Sequence, residues 1–515
     1  MIRVNNIHLS LDYDDKSVRK AVAQQLRIEE KSIKSCKIFR RSVDARKKDN
    51  IYFLTTVDAE LNINEDKVCK KCGNAQIARK YEYNQMKFGN APSPIVVGAG
   101  PAGLFAALIL ARSGANPILI ERGRDVDRRT ADVNRFWTSG KLDITSNVQF
   151  GEGGAGTFSD GKLNSGTKDI RQRKVLEEFV SHGAPDEILY NAKPHIGTDM
   201  LKGTIKNIRN EIIELGGRVM FETKLVSMAF SDNKLKSITV ETANGDEIIE
   251  TDNVILAIGH SARDTFEMLY DLKLPIEAKP FSVGARIEHL RQKVDKAQYG
   301  RFAGNKKLGS ANYKLSTHLD NGRGVYTFCM CPGGKVVNAS SEKNRLCTNG
   351  MSEFARNADN SNSALLVGIN PDDYESDHPL AGMYLQRKLE SKAFVAGGEN
   401  YNAPIQRVDD FLNNRKSTHL GDVKPSIGPN YEFSNLNEIL PEYVSTSMAQ
   451  GIVKMGRMLH GFDDGDAVLT GVESRSSSPV RIMRKTDTLE SVLIEGLYPC
   501  GEGAGYAGGI TSAAV

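Results

Sequence analysis

The sequence predicts an α/β protein made of three parts, and three stretches of the chain support that prediction. Residues 94–123 have the pattern of a strand, a glycine-rich turn, a helix and a second strand. A short apolar strand at 496–500, followed by another glycine-rich run, returns near the other end of the sequence. Residues 1–60 alternate between strand and helix patterns on their own. Because 515 residues are too many for one core, we expect two or three domains.

These stretches divide the chain into a small N-terminal α+β domain with its linker, a Rossmann-like nucleotide-binding domain and an inserted mixed α+β substrate domain. The predicted bounds are 1–90 for the first, 91–270 completed by 485–515 for the second, and 271–484 for the third. The predicted elements are strands at 2–11, 33–43, 51–57, 95–97, 117–120 and 254–258, helices at 17–26 and 104–112, and a β-meander over 218–258 with Asn244-Gly245 as a hairpin turn.

Composition excludes several broad classes of protein. The 68 basic and 64 acidic residues leave a net charge of only +4, so the surface as a whole is not built to attract nucleic acid, and we expect no nucleic-acid partner. No stretch approaches the roughly 18 consecutive apolar residues of a membrane helix, and the first residues lack the order of a signal peptide. We expect a cytoplasmic protein without a membrane partner, whose seven cysteines are free thiols.

Two features of the first 90 residues have alternative interpretations. The predicted hairpin at 40–48 is rich in Arg and Lys; it either grips a phosphate-bearing partner or is a solvated surface. Cys69 and Cys72 form a CxxC pair, but a structural zinc site needs four ligands and no second pair is nearby. We predict no metal site, and the two thiols are either a redox pair or ordinary linker residues.

Three matches to the pattern GxGxxG occur, starting at Gly98, Gly151 and Gly503. Only the first lies between an apolar strand and a helix, and its second strand ends at Glu121. The sequence therefore predicts a dinucleotide site there. An acidic residue at that strand end accepts hydrogen bonds from ribose hydroxyls and repels a 2′-phosphate, so FAD or NAD is favoured over NADP.

Each residue of the first match has a predicted role. Gly98 permits the tight turn, Gly100 lets the backbone approach a pyrophosphate, and Gly103 allows close packing of helix on sheet. The N-terminus of the helix offers unpaired N–H groups to the phosphates. The predicted cofactor-binding residues of this segment are Gly98, Gly100, Pro101, Ala102, Gly103, Glu121 and Arg122.

The motif Gly98-Ala-Gly-Pro-Ala-Gly103 with Glu121-Arg122-Gly123 resembles the first FAD motif of the two-dinucleotide-binding flavoprotein superfamily. The runs 151–163, 329–334 and 501–510 more closely resemble a family of bacterial FAD-dependent dehydrogenases, often labelled NAD-utilizing, that carry a similar small N-terminal domain. The resemblance extends over almost the whole chain. It implies bound FAD, with NAD(P)H as a possible electron donor, although no second complete dinucleotide motif is present.

The resemblance gives roles to the other two glycine runs. Gly153-Gly154 would start a segment along the flavin, with Thr157, Ser159 and Lys162 facing it. That segment lacks the cysteine pair of disulfide reductases, which excludes their dithiol relay at this position.

In the last run, Gly501-Glu502 would offer a carboxylate to the ribityl chain, and Gly509-Ile510 would bring a helix N-terminus to the flavin pyrimidine. Gly259, after the strand at 254–258, is also a predicted cofactor residue. Because only the start of the last helix is present before Val515, we expect that the chain is truncated.

The inserted region supplies the candidates for catalysis. Arg286 and His289 lie near one strand end, where an arginine clamps a carboxylate and a histidine moves a proton; alternatively, they are an ion-pair partner and a loop residue. Cys331, before a Pro-Gly-Gly turn, is the best candidate thiol, with a core thiol as the alternative. Arg475 either binds an anion or lies in a surface loop.

The sequence thus predicts an FAD-dependent dehydrogenase or reductase of an unidentified small organic molecule. One alternative is an NAD(P)H-dependent flavin monooxygenase. Another is an RNA-associated flavoprotein that uses the basic N-terminal module, although that module lacks an aromatic platform for stacking bases.

Overall fold

The computed structural model describes residues 1–79, 81–88 and 93–515. The predicted boundary at residues 90 and 91 lies outside the described residues. The N-terminal part contains β1 (Ile2–Leu9), α1 (Asp15–Leu26), β2 (Ile33–Asp44), β3 (Tyr52–Leu61), α2 (Glu65–Lys71) and β4 (Ala75–Ile77). Its strands form one sheet in the order β2-β3-β1-β4.

The helix α1 begins two residues earlier than its apolar pattern predicts. Asp14 caps it, because its side chain accepts a hydrogen bond from the Ser17 N–H at 2.8 Å. Val18, Val22 and Leu26 recur at helical spacing and are buried. This apolar face covers the sheet and gives the N-terminal part its core.

The segment after β3 is more than the linker that its polar composition suggests. Helix α2 contains Cys69, and β4 adds a fourth strand by pairing with β1. The Cys72 thiol follows α2 and donates to the Gln25 carbonyl at 3.4 Å. In the described part of the chain, no group of three or more His, Cys, Asp or Glu residues could hold a metal ion.

The basic hairpin between β2 and β3 is docked on the next part of the molecule. The Arg41 N–H donates to the Tyr190 carbonyl at 2.7 Å, and the Arg41 guanidinium donates to Asn191 Oδ1 at 2.9 Å. Arg46 is paired with Asp44. The hairpin thus uses part of its charge within the protein, and phosphate binding by the remainder stays a prediction.

The second part contains β5 (Ile95–Val97), α3 (Pro101–Arg112), β6 (Ile118–Ile120), α4 (Val126–Ser139), α5 (Gln172–Ser181), α6 (Thr198–Glu214), β7 (Arg218–Met220), β8 (Lys224–Ser231), β9 (Lys234–Thr242), β10 (Gly245–Glu250), β11 (Val254–Leu256) and α7 (Arg263–Asp271). Helix α3 begins at Pro101 rather than 104, because proline is well suited to the first helical position. The meander is shorter than predicted, and it consists of the three antiparallel strands β8, β9 and β10. Its hairpin turn is Ala243-Asn244, with Gly245 as the first residue of β10.

The third part is built on a sheet of seven strands. It contains β12 (Ile276–Ala278), β13 (Phe281–Leu290), α8 (Arg291–Tyr299), β14 (Ser316–His318), β15 (Gly324–Cys331), β16 (Lys335–Asn338), β17 (Thr348–Met351), β18 (Asn360–Ile369), α9 (Ala381–Ala396), β19 (Ala403–Arg407), α10 (Val408–Leu412), β20 (Tyr431–Phe433), α11 (Leu436–Ile439), α12 (Glu442–Gly456), β21 (Val468–Glu473) and β22 (Val480–Ile482). The order of the large sheet is β14-β15-β18-β13-β21-β19-β20. The chain then returns to the second part with β23 (Leu497–Pro499) and α13 (Ile510–Ala514).

The return of the chain completes a parallel sheet of five strands, in the order β23-β11-β5-β6-β7. All four strand pairings in it are parallel. The strand β23, near the end of the sequence, thus lies in the same sheet as β5, β6, β7 and β11. Across residues 1–79, 81–88 and 93–515, no helix is both long and apolar enough to cross a membrane.

A buried ionic cluster joins the second and third parts. Glu390 of α9 is completely buried and pairs with Arg263 of α7 at 2.7 Å and with Arg475, just after β21, at 2.8 Å. Arg475 also donates to Ser341 Oγ at 2.6 Å. The predicted anion-binding residue Arg475 therefore has its guanidinium committed to a structural contact between the two parts.

Candidate functional site

Four loops leave the same edge of the five-stranded parallel sheet. They follow β5, β6, β11 and β23, and β5 lies between β11 and β6. Chain connections therefore run to opposite sides of β5, which makes its carboxyl end the topological switch point of the sheet. Ligands of such sheets bind in the crevice at this point. The structure thus places the predicted glycine-rich turn 98–103 where a dinucleotide is expected.

The three glycines of this turn differ in what surrounds them. Gly98 has φ +102°, and a Cβ on it would lie 2.3 Å from the Ala257 carbonyl oxygen. A Cβ on Gly103 would lie 1.8 Å from the Gly98 carbonyl oxygen. At Gly100, by contrast, the nearest atom is the Gly154 Cα at 3.9 Å. A side chain at Gly98 or Gly103 would therefore clash with the protein's own backbone. At Gly100 it would not, so the absence of a side chain there leaves an open space in front of the turn.

Helix α3 begins at this open space. Gly100 is its N-cap and Pro101 its first residue, and no side chain caps it. The N–H groups of Ala102 and Gly103 lie in the first turn, where a helix offers no internal acceptors. Unpaired N–H groups and the positive end of the helix dipole suit a phosphate. The donor set and the space above Gly100 therefore fit the pyrophosphate of a dinucleotide.

Glu121 ties three loops together. Its carboxylate accepts hydrogen bonds from the N–H groups of Ala99 at 2.9 Å, Gly123 at 2.9 Å and Gly151 at 3.0 Å. A carboxylate offers about four acceptor positions, so one remains for a ribose hydroxyl. Sequence reasoning predicted the ribose contact and missed this structural role. The ribose contact itself stays a prediction.

Arg122 extends away from the loops toward the start of α7. It donates to Thr265 Oγ1 at 2.8 Å, pairs with Asp264 at 3.0 Å and lies over the Phe150 ring at 4.5 Å. Burial opposes ionisation of Asp264, but Arg122 and Lys224 lower its pKa to about 2. Arg122 thus fixes the wall of the site through an ion pair, and its contact with the cofactor stays a prediction.

The second glycine run folds directly against the first. The Gly153 N–H donates to the Ala99 carbonyl at 2.8 Å, and both Gly153 and Gly154 have positive φ. A Cβ on Gly154 would lie 3.0 Å from the Gly100 Cα. Two backbones without side chains therefore meet at this point, as the predicted path along a flavin requires.

A buried arginine holds this run in place. Arg129 of α4 is completely buried and donates to the carbonyl oxygens of Asn147 at 2.8 Å, Val148 at 2.9 Å, Glu152 at 2.7 Å and Gly154 at 2.9 Å. Burial lowers the pKa of Arg129 to about 10. Sequence reasoning missed this residue, since an arginine within an amphipathic helix gives no signal of its contacts.

Thr157 and Ser159 use their hydroxyls locally. Thr157 Oγ1 donates to the Glu152 carbonyl at 3.2 Å, and Ser159 Oγ donates to the Gly156 carbonyl at 2.7 Å. Both residues therefore shape the turn that follows Gly154. Contacts of these two hydroxyls with a flavin stay a prediction.

The third glycine run closes the site from the other side. A Cβ on Gly501 would lie 2.9 Å from the Ala102 Cβ, and one on Gly503 would lie 2.4 Å from the Gly259 carbonyl oxygen. Ile510, the first residue of α13, lies against Gly156. The loops that follow β5, β11 and β23 thus meet at this edge of the sheet, and cofactor contacts of Gly259, Gly501, Gly509 and Ile510 stay predictions.

Glu502 contacts a histidine that sequence reasoning did not single out. His260 Nδ1 lies 3.4 Å from Glu502 Oε1. Burial opposes ionisation of Glu502, but His260 lowers its pKa below the ordinary value. His260 Nε2 is buried and has no hydrogen-bond partner among the described residues. A polar atom left unpaired at the edge of the crevice is suited to a ligand.

Lys162 and Cys331 come together at the end of the second run. Lys162 Nζ lies 3.9 Å from Cys331 Sγ and 2.6 Å from Asp160 Oδ2. The next residue, Leu163, accepts a hydrogen bond from Thr511 Oγ1 of α13 at 2.8 Å. The pair therefore lies beside the helix whose N-terminus is predicted to meet the flavin.

The charges around this pair do not balance. Lys162 and Arg356 both bind Asp160, so two cations share one carboxylate. Burial opposes ionisation of Asp160, but these cations hold its pKa well below the usual range. Burial raises the pKa of the Cys331 thiol to about 11. Near neutral pH, this interior thus contains a neutral thiol beside an excess of positive charge.

The structure does not bring Arg286 and His289 together. They are three residues apart on β13, and an odd spacing puts two side chains on opposite faces of a strand. Arg286 is completely buried and pairs with Glu473 at 3.1 Å. His289 is buried on the other face, 2.8 Å from the Phe462 carbonyl. The two side chains therefore do not share a site, and Arg286 is the buried ion-pair partner of the alternative interpretation. Catalytic roles for Arg286 and His289 stay predictions.

Comparison with known proteins identifies the family. Residues 93–132 match a family model described as an FAD binding domain, and residues 280–476 match one described as "FAD-dependent protein, C-terminal domain-like". Residues 1–60 match a domain of unknown function. An uncharacterized protein from Clostridium beijerinckii is 48% identical over 520 residues, which covers 100% of this chain and 96% of the relative. The chain belongs to this family of FAD-dependent flavoproteins. The predicted fold class and FAD-binding domain of the flavoprotein are thereby confirmed.

Three solved structures similar to this flavoprotein have low sequence identity to it. OxyS anhydrotetracycline hydroxylase from Streptomyces rimosus has a TM-score of 0.27 at 12% identity, over 56% of this chain and 48% of that chain. The flavin-dependent halogenase CmlS has a TM-score of 0.37 at 13% identity, over 83% and 56%. L-amino acid deaminase from Proteus vulgaris has a TM-score of 0.32 at 11% identity, over 84% and 94%. This flavoprotein thus spans about half the length of OxyS, and no substrate follows from similarities this distant.

Proposed function

We propose that this flavoprotein is a dehydrogenase or reductase that exchanges electrons between FAD and a small organic substrate. The observation that supports this most is the convergence of three glycine runs at the carboxyl end of β5, with the Lys162–Cys331 pair at their edge. The three glycine runs together form a binding site for the cofactor. The pair supplies polar groups beside it for a substrate.

The cofactor would be held mainly by backbone. The N–H groups of Ala102 and Gly103 would receive the pyrophosphate, Glu121 a ribose, and the N-terminus of α13 the far end of the flavin. When bound, FAD supplies hydride or single-electron transfer. The protein's own task is then to orient a substrate and to manage its proton.

Cys331 is suited to the task of moving that proton. Its thiol stays protonated near pH 7 because burial raises its pKa to about 11. The Lys162 ammonium at 3.9 Å stabilises the thiolate that remains after a proton is donated. We therefore assign Cys331 as the proton donor and Lys162 as the group that supports it.

The same surroundings favour a substrate with an acidic or electron-rich group. Lys162 and Arg356 exceed the charge of Asp160 by one. Asn362 lies opposite Cys331 in the paired strands, and both atoms of its buried amide lack partners among the described residues. An anionic substrate with hydrogen-bonding groups would satisfy both features.

The proposal is tested by the visible spectrum of the purified full chain before and after anaerobic addition of NADH or NADPH. We expect an oxidised flavin spectrum, release of FAD on denaturation, and bleaching by one nucleotide, which identifies the donor. Absence of flavin, with no uptake of added FAD, would contradict the proposal. Slow peroxide formation after oxygen is admitted fits a dehydrogenase, whereas rapid oxidation coupled to a hydroxylated product identifies the monooxygenase alternative.

A further inference from the structure

A separate cavity of about 380 Å³ lies between the second and third parts of the molecule. It is bounded by the C-terminal end of α4, by strand β16 and by the loops 400–402 and 426–430. None of the converging glycine runs lines it. Cavities of about 300–1,000 Å³ at domain junctions are the usual size and place of small-molecule sites.

One wall of the cavity is aromatic. It is formed by Phe136 and Trp137 of α4 and by Tyr401. Phe136 and Tyr401 pack edge to face with ring centroids 5.3 Å apart, and Trp137 packs in the same way on Phe158 at 6.1 Å. These contacts fix the rings in place, so a flat ligand meets a preformed surface.

The polar lining consists largely of side-chain amides. These are Asn338, Asn400, Asn402 and Asn430. Trp137 Nε1 donates to the Asn338 carbonyl at 2.8 Å, and Asn338 Nδ2 donates to the Tyr401 carbonyl at 2.9 Å. These bonds tie the amide lining to the aromatic wall. Asn338 uses both ends of its amide within the protein, and Asn400 and Asn430 each use one. The Asn402 amide keeps a donor and an acceptor side by side, which matches the edge of a nitrogen heterocycle.

The side chains that line the cavity carry a single positive charge. Lys335 is its one charged residue, and the lining contains no carboxylate. Lys335 is exposed, so it stands at the mouth of the cavity. A cationic ligand would find no counter-charge there, whereas a neutral ring with one acidic substituent would find one at Lys335.

We propose that this cavity is a second ligand site, which binds a nucleobase-type heterocycle carrying one acidic group. The ring packs against Trp137, the side-chain amide of Asn402 pairs with its edge, and Lys335 holds the acidic group. The inference does not rest on the proposed redox function, because it uses only residues away from the glycine runs.

Calorimetry on the full-length, FAD-loaded protein tests the site with AMP, adenosine and benzoate as probes. We expect adenosine to bind, AMP to bind about two- to fivefold more tightly because of Lys335, and benzoate to bind least. Trp137 is the only tryptophan, so its fluorescence reports the same event. Binding of benzoate more tightly than adenosine, or no binding of either adenine compound, would overturn the proposal.

Variants separate this site from the dinucleotide site and from general charge effects. Lys335→Met should reduce AMP affinity to that of adenosine, whereas Lys20→Met, at an exposed lysine of α1, should change neither. Asn402→Leu should weaken both ligands. Gly100→Val is measured without FAD, because it blocks the dinucleotide cradle, and it should bind AMP as tightly as the FAD-loaded protein does. Loss of AMP binding in Gly100→Val, with Lys335→Met unaffected, would assign the binding to the dinucleotide site and overturn the inference.

Discussion

The Nζ atom of Lys162 and the Sγ atom of Cys331 lie 3.9 Å apart, although 169 residues separate them in the chain. Lys162 comes from the glycine-rich run of the nucleotide-binding part, and Cys331 comes from the end of β15 in the inserted sheet. Cys329, two residues earlier, has φ +45°, and the pairing of β15 with β18 shifts register there. This bulge directs the end of β15 toward the nucleotide-binding part.

The Cys331 thiol should react slowly at neutral pH and faster as the pH approaches 11. Burial raises its pKa to about 11, and only the thiolate is nucleophilic. Lys162→Met should raise this pKa further, because the nearby ammonium stabilises the thiolate. Alkylation of the peptide containing Cys331, followed by mass spectrometry from pH 7 to 11, measures the effect. Rapid labelling at pH 7 would contradict the assignment, and Cys331→Ser defines the background from the six other cysteines.

Gly100→Val should abolish FAD binding without unfolding the protein. The nearest atom to a new Cβ is 3.9 Å away, so the fold tolerates it, but the side chain fills the space intended for the pyrophosphate. Flavin content and circular dichroism measure the two effects. Cys72→Ser is the matched control and should keep normal flavin content. Normal flavin content in Gly100→Val would show that the cradle is wrongly assigned.

Arg129→Met should destabilise the protein by about 3–5 kcal/mol and reduce flavin retention. The substitution leaves several buried carbonyl groups of the second glycine run without a donor. Arg129→Lys should not restore stability, because a lysine lacks the forked geometry. Thermal unfolding and flavin release measure the outcome. A melting temperature equal to that of the unmodified protein would exclude this role.

Glu390→Gln should also destabilise the protein strongly, by about 3–5 kcal/mol, since it leaves Arg263 and Arg475 buried beside a neutral amide. Glu375→Gln is the control, because its partner Lys388 is half exposed and such surface pairs contribute little. Chemical unfolding of both variants provides the comparison. If both variants lost the same free energy of unfolding, the buried Glu390 cluster would stabilise the protein no more than a surface ion pair does.

Acid should destabilise the protein between about pH 6.5 and 4 through His195. Burial lowers the pKa of His195 to about 4, so the unfolded chain takes up a proton in this range and the folded protein does not. The stability from the neutral histidine is therefore present above pH 6.5 and is lost as the pH falls. His195→Gln keeps a donor for the Phe354 carbonyl and should reduce this loss by about 1–2 kcal/mol. If the melting temperature of His195→Gln depended on pH as that of the unmodified protein does, His195 would not be a source of the acid destabilisation.

Predictions from the sequence succeeded where a few neighbouring residues determine the structure. The unit from Ile95 to Ile120 forms as predicted, because an apolar strand, a glycine turn and proline at the helix start act locally. Boundaries shifted where a cap lay outside the apolar pattern, as Asp14 does for α1. The polar segment containing Cys69 folded into α2 and β4 because β1 offered a free edge, which is a tertiary condition.

The sequence by itself determined the dinucleotide-binding unit and the absence of a dithiol in its second glycine run. Only the tertiary structure decided that Lys162 meets Cys331, that Arg129 supports the glycine run, and that Arg286 and His289 face opposite sides of their sheet. The physical reason is the distance along the chain over which the interactions act. Backbone conformation at glycine and proline is set by adjacent atoms, whereas partners of buried charges and thiols are chosen by the packing of distant strands.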